Sequence, residues 1–400
     1  MKTTYLLLCL LGIGSISGAG QTKQPQKIGD FIESTSYNEH RRNATRSLQY
    51  TPDGDDFVCI NGKNRFTRAL YGSHTAFRLE TSDRPVFAAY TKENPKHICF
   101  KLQTSGGTVA LDSTEHCESR YTAGRRSYSL SDPAFGGGSL SITTWALPDK
   151  EGAIWQFNAR NFKEFHPVLL ASISEIRNSK LNRNGDMGAD PADSFEAPLQ
   201  PQQLQSFPVQ IDGTLYILLE NQELRTLTTA EGETLFKKAE AARSETASRI
   251  RIETPDPYFN TLGGTLAMAA DGIWDGEVWL HDAIGWRMPL SGWRAAYTGD
   301  VLGWHDRART HFNAYAASQV TEVPNTFPHP AQDSALHLAR SVKKWGTPQY
   351  SNGYICRNPH RNNQMHHYDM NLCYIDELLW HFKWTGDLDY ALSLIHISEP

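Results

Sequence analysis

The chain has 400 residues, 39% of them hydrophobic and 21% charged, so it carries enough apolar material for more than one core and is not a disordered chain. Its 39 basic and 44 acidic residues give a formal net charge of −5 with no long basic run, which excludes an electrostatic nucleic-acid footprint and a basic membrane patch. Beyond the N-terminus no apolar run reaches the roughly 18 residues of a spanning helix, so no integral membrane segment is expected after leader cleavage.

Lys2 precedes an apolar run over residues 5–13 and a small-residue stretch over 15–20, a pattern that predicts a bacterial secretory signal peptide over 1–20 and a periplasmic or secreted protein. Residues 21–48 are polar and aperiodic and read as a tail or spacer. From Phe57 the pattern alternates, and 57–60, the Asn61-Gly62 pair and 65–71 predict a hairpin. Further strands are predicted over 76–80, 86–90, 97–102, 107–111, 118–121, 126–130, 139–146, 153–158, 165–173 and 215–220, with 209–211 as a possible addition. Short strands with frequent turns and no intervening helices predict an antiparallel β-sandwich over 49–228. Residues 178–205 form a polar excursion rich in Asp, Asn and Pro.

A composition shift follows, and 229–250 predicts a linker helix with Thr229 as N-cap. Amphipathic helices are then expected over 257–271, 293–303, 306–318, 333–344 and 368–384. Residues 392–400 read as the translation of a transposon-end sequencing adaptor, so the native sequence is expected to stop at Ala391 within a longer protein. Five cysteines lie beyond the leader; the odd count argues against a full disulfide framework, leaving a Cys99–Cys117 bridge or buried thiols, of which the thiols are expected. No CxxC or HxxxH spacing is present, and neither a metal nor a cofactor is expected. No pattern specifies an oligomer.

Eight of the ten tryptophans fall after residue 250, mostly at helix ends and loops. Aromatic faces stack on sugar rings while carboxylates, Arg, Asn and His bond hydroxyls, so this region predicts a carbohydrate partner. Residues 273–297 are densest, combining Glu277, His281, Asp282, Arg287 and Arg294 with Trp279, Trp286 and Trp293. Glycoside hydrolysis needs one carboxyl group kept protonated beside apolar walls and a second kept ionised; Glu277 suits the first role and Asp282 the second. The competing structural readings are a turn cap for Asp275, an arginine partner for Asp282 and a core position for any of the tryptophans. A second cluster over 352–369 offers Arg357, His366 and His367 as hydroxyl-binding groups and Asp369 as a base, a sugar holder or a helix cap.

Thr254-Pro-Asp-Pro-Tyr-Phe-Asn260, Gly292-Trp-Arg-Ala-Ala-Tyr-Thr-Gly-Asp300, Tyr368-Asp-Met-Asn371 and Trp384-Thr-Gly-Asp387 resemble the hairpin starts and ends of six-hairpin (α/α)6 glycosidases, the group that includes debranching-type enzymes and α-L-rhamnosidases. The stretch from Asn61 to Gly72 resembles sandwich domains of poorly characterised bacterial members. The resemblance implies a multidomain β + α protein: an N-terminal antiparallel β-sandwich, the linker helix, and a partial (α/α)6 toroid over 251–391. It further implies an inverting glycoside hydrolase of plant or algal polysaccharide, exported as the leader predicts. Rival expectations are a polysaccharide lyase using His366, His367, Tyr368 and Arg357, and a non-catalytic carbohydrate-binding protein.

Overall fold

The computed structural model describes residues 50–63, 68–72, 76–91, 96–148, 150–162, 167–175, 205–208, 213–281, 296–319 and 368–398, with short stretches between 321 and 361. The expected leader (1–20) and spacer (21–48) lie outside the described residues, as does nearly all of the 178–205 excursion.

Two antiparallel sheets dominate. The first has eight strands in the order β1 (Thr51–Asp53), β2 (Asp56–Ile60), β8 (His116–Thr122), β9 (Arg125–Ser131), β10 (Ser139–Ala146), β11 (Gly152–Arg160), β14 (Thr214–Glu220) and β15 (Glu223–Leu227). The second runs β13 (Gln205–Pro208), β12 (Val168–Glu175), β6 (Lys96–Thr104), β5 (Val86–Tyr90), β4 (Arg78–Thr81) and β3 (Arg68–Tyr71), with β7 (Gly107–Ala110) also paired to β6. Alternation along each strand sends one face inward. Phe87 and Phe100 of the second sheet meet Tyr128, Trp155 and Phe157 of the first, with ring centroids 5.0–5.9 Å apart. The main core therefore lies between the sheets.

The predicted hairpin at Asn61-Gly62 does not form. β2 pairs with β8 and β3 with β4, so the chain changes sheets at this point. Asn61 bonds Cys117 through both its N–H and its side-chain oxygen, and Gly62 lies so close to Asp83 that a Cβ would stand 2.4 Å from the carboxyl carbon. The glycine serves close packing here rather than a tight turn. Cys99 and Cys117 are thiols in different sheets and not a bridge.

The helix expected as a linker, α1 (Thr229–Ala247), packs on the outer face of the first sheet. Its N-cap is Thr228 rather than Thr229, closed by a capping box with Glu231. Phe236 meets Trp145 with ring centroids 4.1 Å apart, and Leu235 and Ala239 cover Ile154, Tyr216 and Leu218. Those strand positions alternate with the inward set, so α1 buries the outer face of the first sheet where β10, β11 and β14 lie. Glu240 accepts bonds from Trp145 Nε1 (2.7 Å), Arg243 Nη2 (2.6 Å) and Nε (2.9 Å), and Arg125 Nη1 (3.2 Å).

The (α/α)6 toroid is overturned. The helices after α1 are α2 (Pro257–Asn260), α3 (Leu262–Gly272), α4 (Ala296–Val301), α5 (His305–Ala316), α6 (Tyr368–Thr385) and α7 (Leu388–Ser398). A toroid needs successive helical hairpins closing a ring. Here α2 is too short to wall one, and the described residues of the expected 333–344 helix are strand rather than helix, β16 (Gln332–Asp333) pairing with β17 (Leu338–Ala339). The molecule is instead mainly antiparallel sheet, sandwich-like, with few helices among the described residues, and not a six-hairpin barrel. Trp274, Trp279 and Trp304, which suggested ring-lining loops, pack with Phe312, Tyr315 and Tyr374 in a core between α3, α5 and α6. No helix among the described residues is long and apolar enough to cross a membrane.

Candidate functional site

Ile273 follows α3 and joins Tyr71, Val86, Ala88 and Tyr90 on the outer face of the second sheet, which anchors the segment after it. That segment is a tight loop closed by a bridge between Trp274 and Trp279. Asp275 Oδ1 accepts from the N–H groups of Glu277 (3.0 Å) and Val278 (2.8 Å), and Gly276 has φ 101°, a conformation open to glycine at little cost. Asp275 thus holds the turn, and Glu277 projects from its tip with half its side chain exposed.

The described tryptophans of this loop, Trp274 and Trp279, are buried and do not form the wall expected beside Glu277. Trp279 is fully buried, its ring 4.6 Å from Trp274 and 5.8 Å from His311 by centroid, and its backbone N–H donates to His311 Nδ1 at 3.2 Å. A ring with no exposed face cannot stack on a sugar, so the binding role expected for Trp279 gives way to a core role. Beside Glu277 stands an imidazole: His360 Nε2 lies 2.7 Å from Glu277 Oε1. His360 has φ 58°, which is costly for a residue with a Cβ, and its N–H donates to Ala314 O at 3.1 Å.

His281 is described and exposed. Asp282, Trp286, Arg287, Trp293, Arg294, Arg357, His366 and His367 lie outside the described residues, and Asp369 is described only as backbone at the start of α6. The structure therefore brings Glu277 to His360 and places Trp279 and His281 along the same loop. His360 sits inside the donor-rich stretch over 352–369, yet its only distinguishing signal is spatial, the approach of a loop 83 residues away.

A second cluster lies deeper in the helical region. Asp300 Oδ1, near the end of α4, is 2.7 Å from His305 Nδ1 at the start of α5 and 2.9 Å from His381 Nδ1 in α6; Asp300 Oδ2 is 3.0 Å from the same His381 atom. Gly303 at φ 74° makes the turn that brings His305 back to Asp300. Beside it Arg307 bonds Asp271 at 2.7 Å and stands over Trp304 at 4.2 Å, an ion pair covered by an aromatic face. Two concavities lie elsewhere, on the sandwich. One, of about 500 Å³, runs between α1 and β14–β15 over Leu218, Leu227 and Leu235; the other, of about 360 Å³, is lined by Ser129, Ser131, Ser139, Ser141 and Asn158.

Residues 95–250 match a family described as "Domain of unknown function (DUF4450)". The match runs from β6 to just past α1, so it takes in the helix packed on the first sheet together with most of the strands. No curated protein matches the chain.

Proposed function

We propose that this protein is an exported carbohydrate-active enzyme that cleaves glycosidic bonds, with Glu277 as the proton donor to the departing sugar oxygen. The observation that carries this reading is the Glu277–His360 pair: an accessible carboxyl group and an imidazole 2.7 Å apart, each delivered by a tightly held loop. A solvent-accessible carboxyl group hydrogen-bonded to an imidazole is of the side-chain types that transfer protons to a leaving group, the requirement of general acid catalysis. Asp282 and Asp369 are the carboxylates assigned to the complementary role, which needs an ionised group across the scissile bond. Asp275 holds the turn through Oδ1, which accepts two backbone N–H bonds. The charged and polar residues flanking the pair suit a hydroxyl-rich ligand, and the apolar leader at 5–13 supports export.

The test is reducing-end release by the purified chain from a panel of plant and algal polysaccharides and their oligosaccharides. Glu277→Gln is expected to lower turnover at least ~100-fold while leaving ligand binding intact, since proton transfer contributes about 10²–10⁴-fold. Parental turnover in Glu277→Gln refutes the assignment. Binding without turnover on every substrate refutes the enzyme and leaves a carbohydrate-binding protein.

A further inference from the structure

The Asp300, His305 and His381 cluster takes no part in the reaction proposed above, and its chemistry is unusual for a structural contact. Asp300 is only 3% exposed, and a buried carboxylate requires either a counter-charge with hydrogen bonds or a metal. Among the described residues no Lys or Arg forms an ion pair with it; its partners are the two imidazoles. Both present Nδ1 to a single oxygen, from separate helices, and the three ligating atoms lie within 4.8 Å of one another.

We propose that Asp300, His305 and His381 form a binding site for a divalent transition-metal ion of the zinc type, with the side facing solvent left open. The donor–acceptor separations of 2.7–3.0 Å fit a coordination shell. Ligands at the ~2.0–2.1 Å typical of zinc stand about 3 Å apart when they are adjacent around one ion. Two imidazole nitrogens with one carboxylate oxygen select zinc, iron, nickel or copper over magnesium and calcium, which favour oxygen alone. His381 is buried at 2% side-chain exposure while His305 is 45% exposed, so one flank of the triad reaches water. Three protein ligands with an accessible flank is the pattern of a site that retains a water or takes a substrate group.

The site is also braced. Trp279 packs against Gly299, where an added Cβ would stand 2.3 Å from the indole, so the residue before Asp300 is clamped by the loop that carries Glu277. An ion here would tie α4, α5 and α6 together beneath that loop.

The experiment is a zinc titration of the full chain after chelator treatment, read in competition with a chromophoric chelator, with Co²⁺ as a spectroscopic probe. The expected result is one ion per chain, visible Co²⁺ ligand-field bands, and a rise in Tm on adding zinc, since an ion that binds only the folded chain stabilises it. His305→Ala is the informative variant because its side chain is half exposed and its loss should spare the fold, checked by circular dichroism. It is expected to weaken zinc at least tenfold, since even the hydrogen-bonding partners of metal ligands are worth ~10–100-fold. His381→Gln should do the same. Failure of the parent chain to take up zinc or cobalt overturns the proposal without reference to any variant. Equal zinc affinity in parent and folded His305→Ala also overturns it, and leaves Asp300 as a hydrogen-bond acceptor for two imidazoles. Neither outcome bears on the Glu277 assay.

Discussion

Glu240 joins α1 to the first sheet, and replacing it by Gln isolates what its charge contributes. The carboxylate receives four hydrogen bonds from three side chains, two of them from Arg243, whose Nη1 also donates to Ala123 O at 2.9 Å. In Glu240→Gln the amide oxygen can keep Trp145 and one Arg243 bond, but the amide nitrogen then faces guanidinium donors. A hydrogen bond to a charged group contributes about 1.5–3 kcal/mol when buried, and an exposed pair about 0–1 kcal/mol. Arg243 is 12% exposed and Arg125 is 30% exposed, so the first arm falls in the upper class and the second in the lower. Their sum predicts a loss of about 2 kcal/mol, or a Tm lowered by roughly 4–8 °C for a cooperative unit of this size. Burial works to raise the pKa of Glu240, but hydrogen bonds from Arg243 and Trp145 and the charges of Arg243 and Arg125 outweigh it, leaving the carboxyl below its ordinary value. A depressed carboxyl pKa contributes stability that is fully present above the unfolded value near ~4.3 and disappears as pH falls through the folded value beneath it. The gap between parent and variant in urea unfolding should therefore be constant from about pH 8 to pH 5 and close below about pH 4.3. A Tm change under 1 °C at neutral pH, or a gap that persists undiminished at pH 3, would refute this account.

Three further outcomes are expected. The β14–β15 hairpin turns through Asn221 (φ 52°) and Gln222 (φ 64°), a two-residue loop in which glycine is favoured at the second position, so Gln222→Gly should raise stability by ~0.5–1 kcal/mol in denaturant unfolding; a decrease contradicts the turn assignment. Cys117 is buried and its thiol is pushed up to about 12 by burial, so alkylation of the native protein at pH 8 should leave the Cys117 peptide unmodified while the guanidinium-unfolded chain is labelled; equal labelling rates would exclude the buried thiol. His360→Gly relieves the positive φ while removing the imidazole, and should leave stability within ~1 kcal/mol of the parent yet lower glycoside turnover; full activity would remove His360 from the site.

Much of the sheet region was readable from local pattern, because strand formation there follows alternation and turn chemistry. The predicted strand at 139–146 is β10, 86–90 is β5, and the predictions around 97–102, 126–130 and 153–158 each lie within longer strands. β15 went unread because its residues, Glu223–Leu227, carry one buried apolar side chain, Leu224, and depend on pairing with β14. Asn61-Gly62 shows the limit of turn signals: the pair has the composition of a hairpin, but contacts with Cys117 and Asp83, both distant in sequence, decide where the strands on either side go.

Helix placement was similarly local, while helix arrangement was not. The expectations at 229–250, 306–318 and 368–384 correspond to α1, α5 and α6, because composition and amphipathic period depend only on neighbours in the chain. Periodicity specifies that a face is buried and is silent about its partner, so α1 read as a linker when Tyr216 and Trp145 were waiting for it, and Trp-rich helix ends read as a ring of hairpins. The same division runs through the sites. Glu277 stands out in the sequence as a carboxyl group among tryptophans, yet the tertiary structure turns Trp279 into core and supplies His360 as its neighbour. Asp300 and His305, five residues apart across a glycine turn, are a faint local signal; His381 joins them from 81 residues beyond Asp300 only because α4, α5 and α6 pack together. Composition and period act along the chain and are legible in it, whereas the pairing of distant side chains is decided by which buried faces fit, and that exists only once the chain has folded.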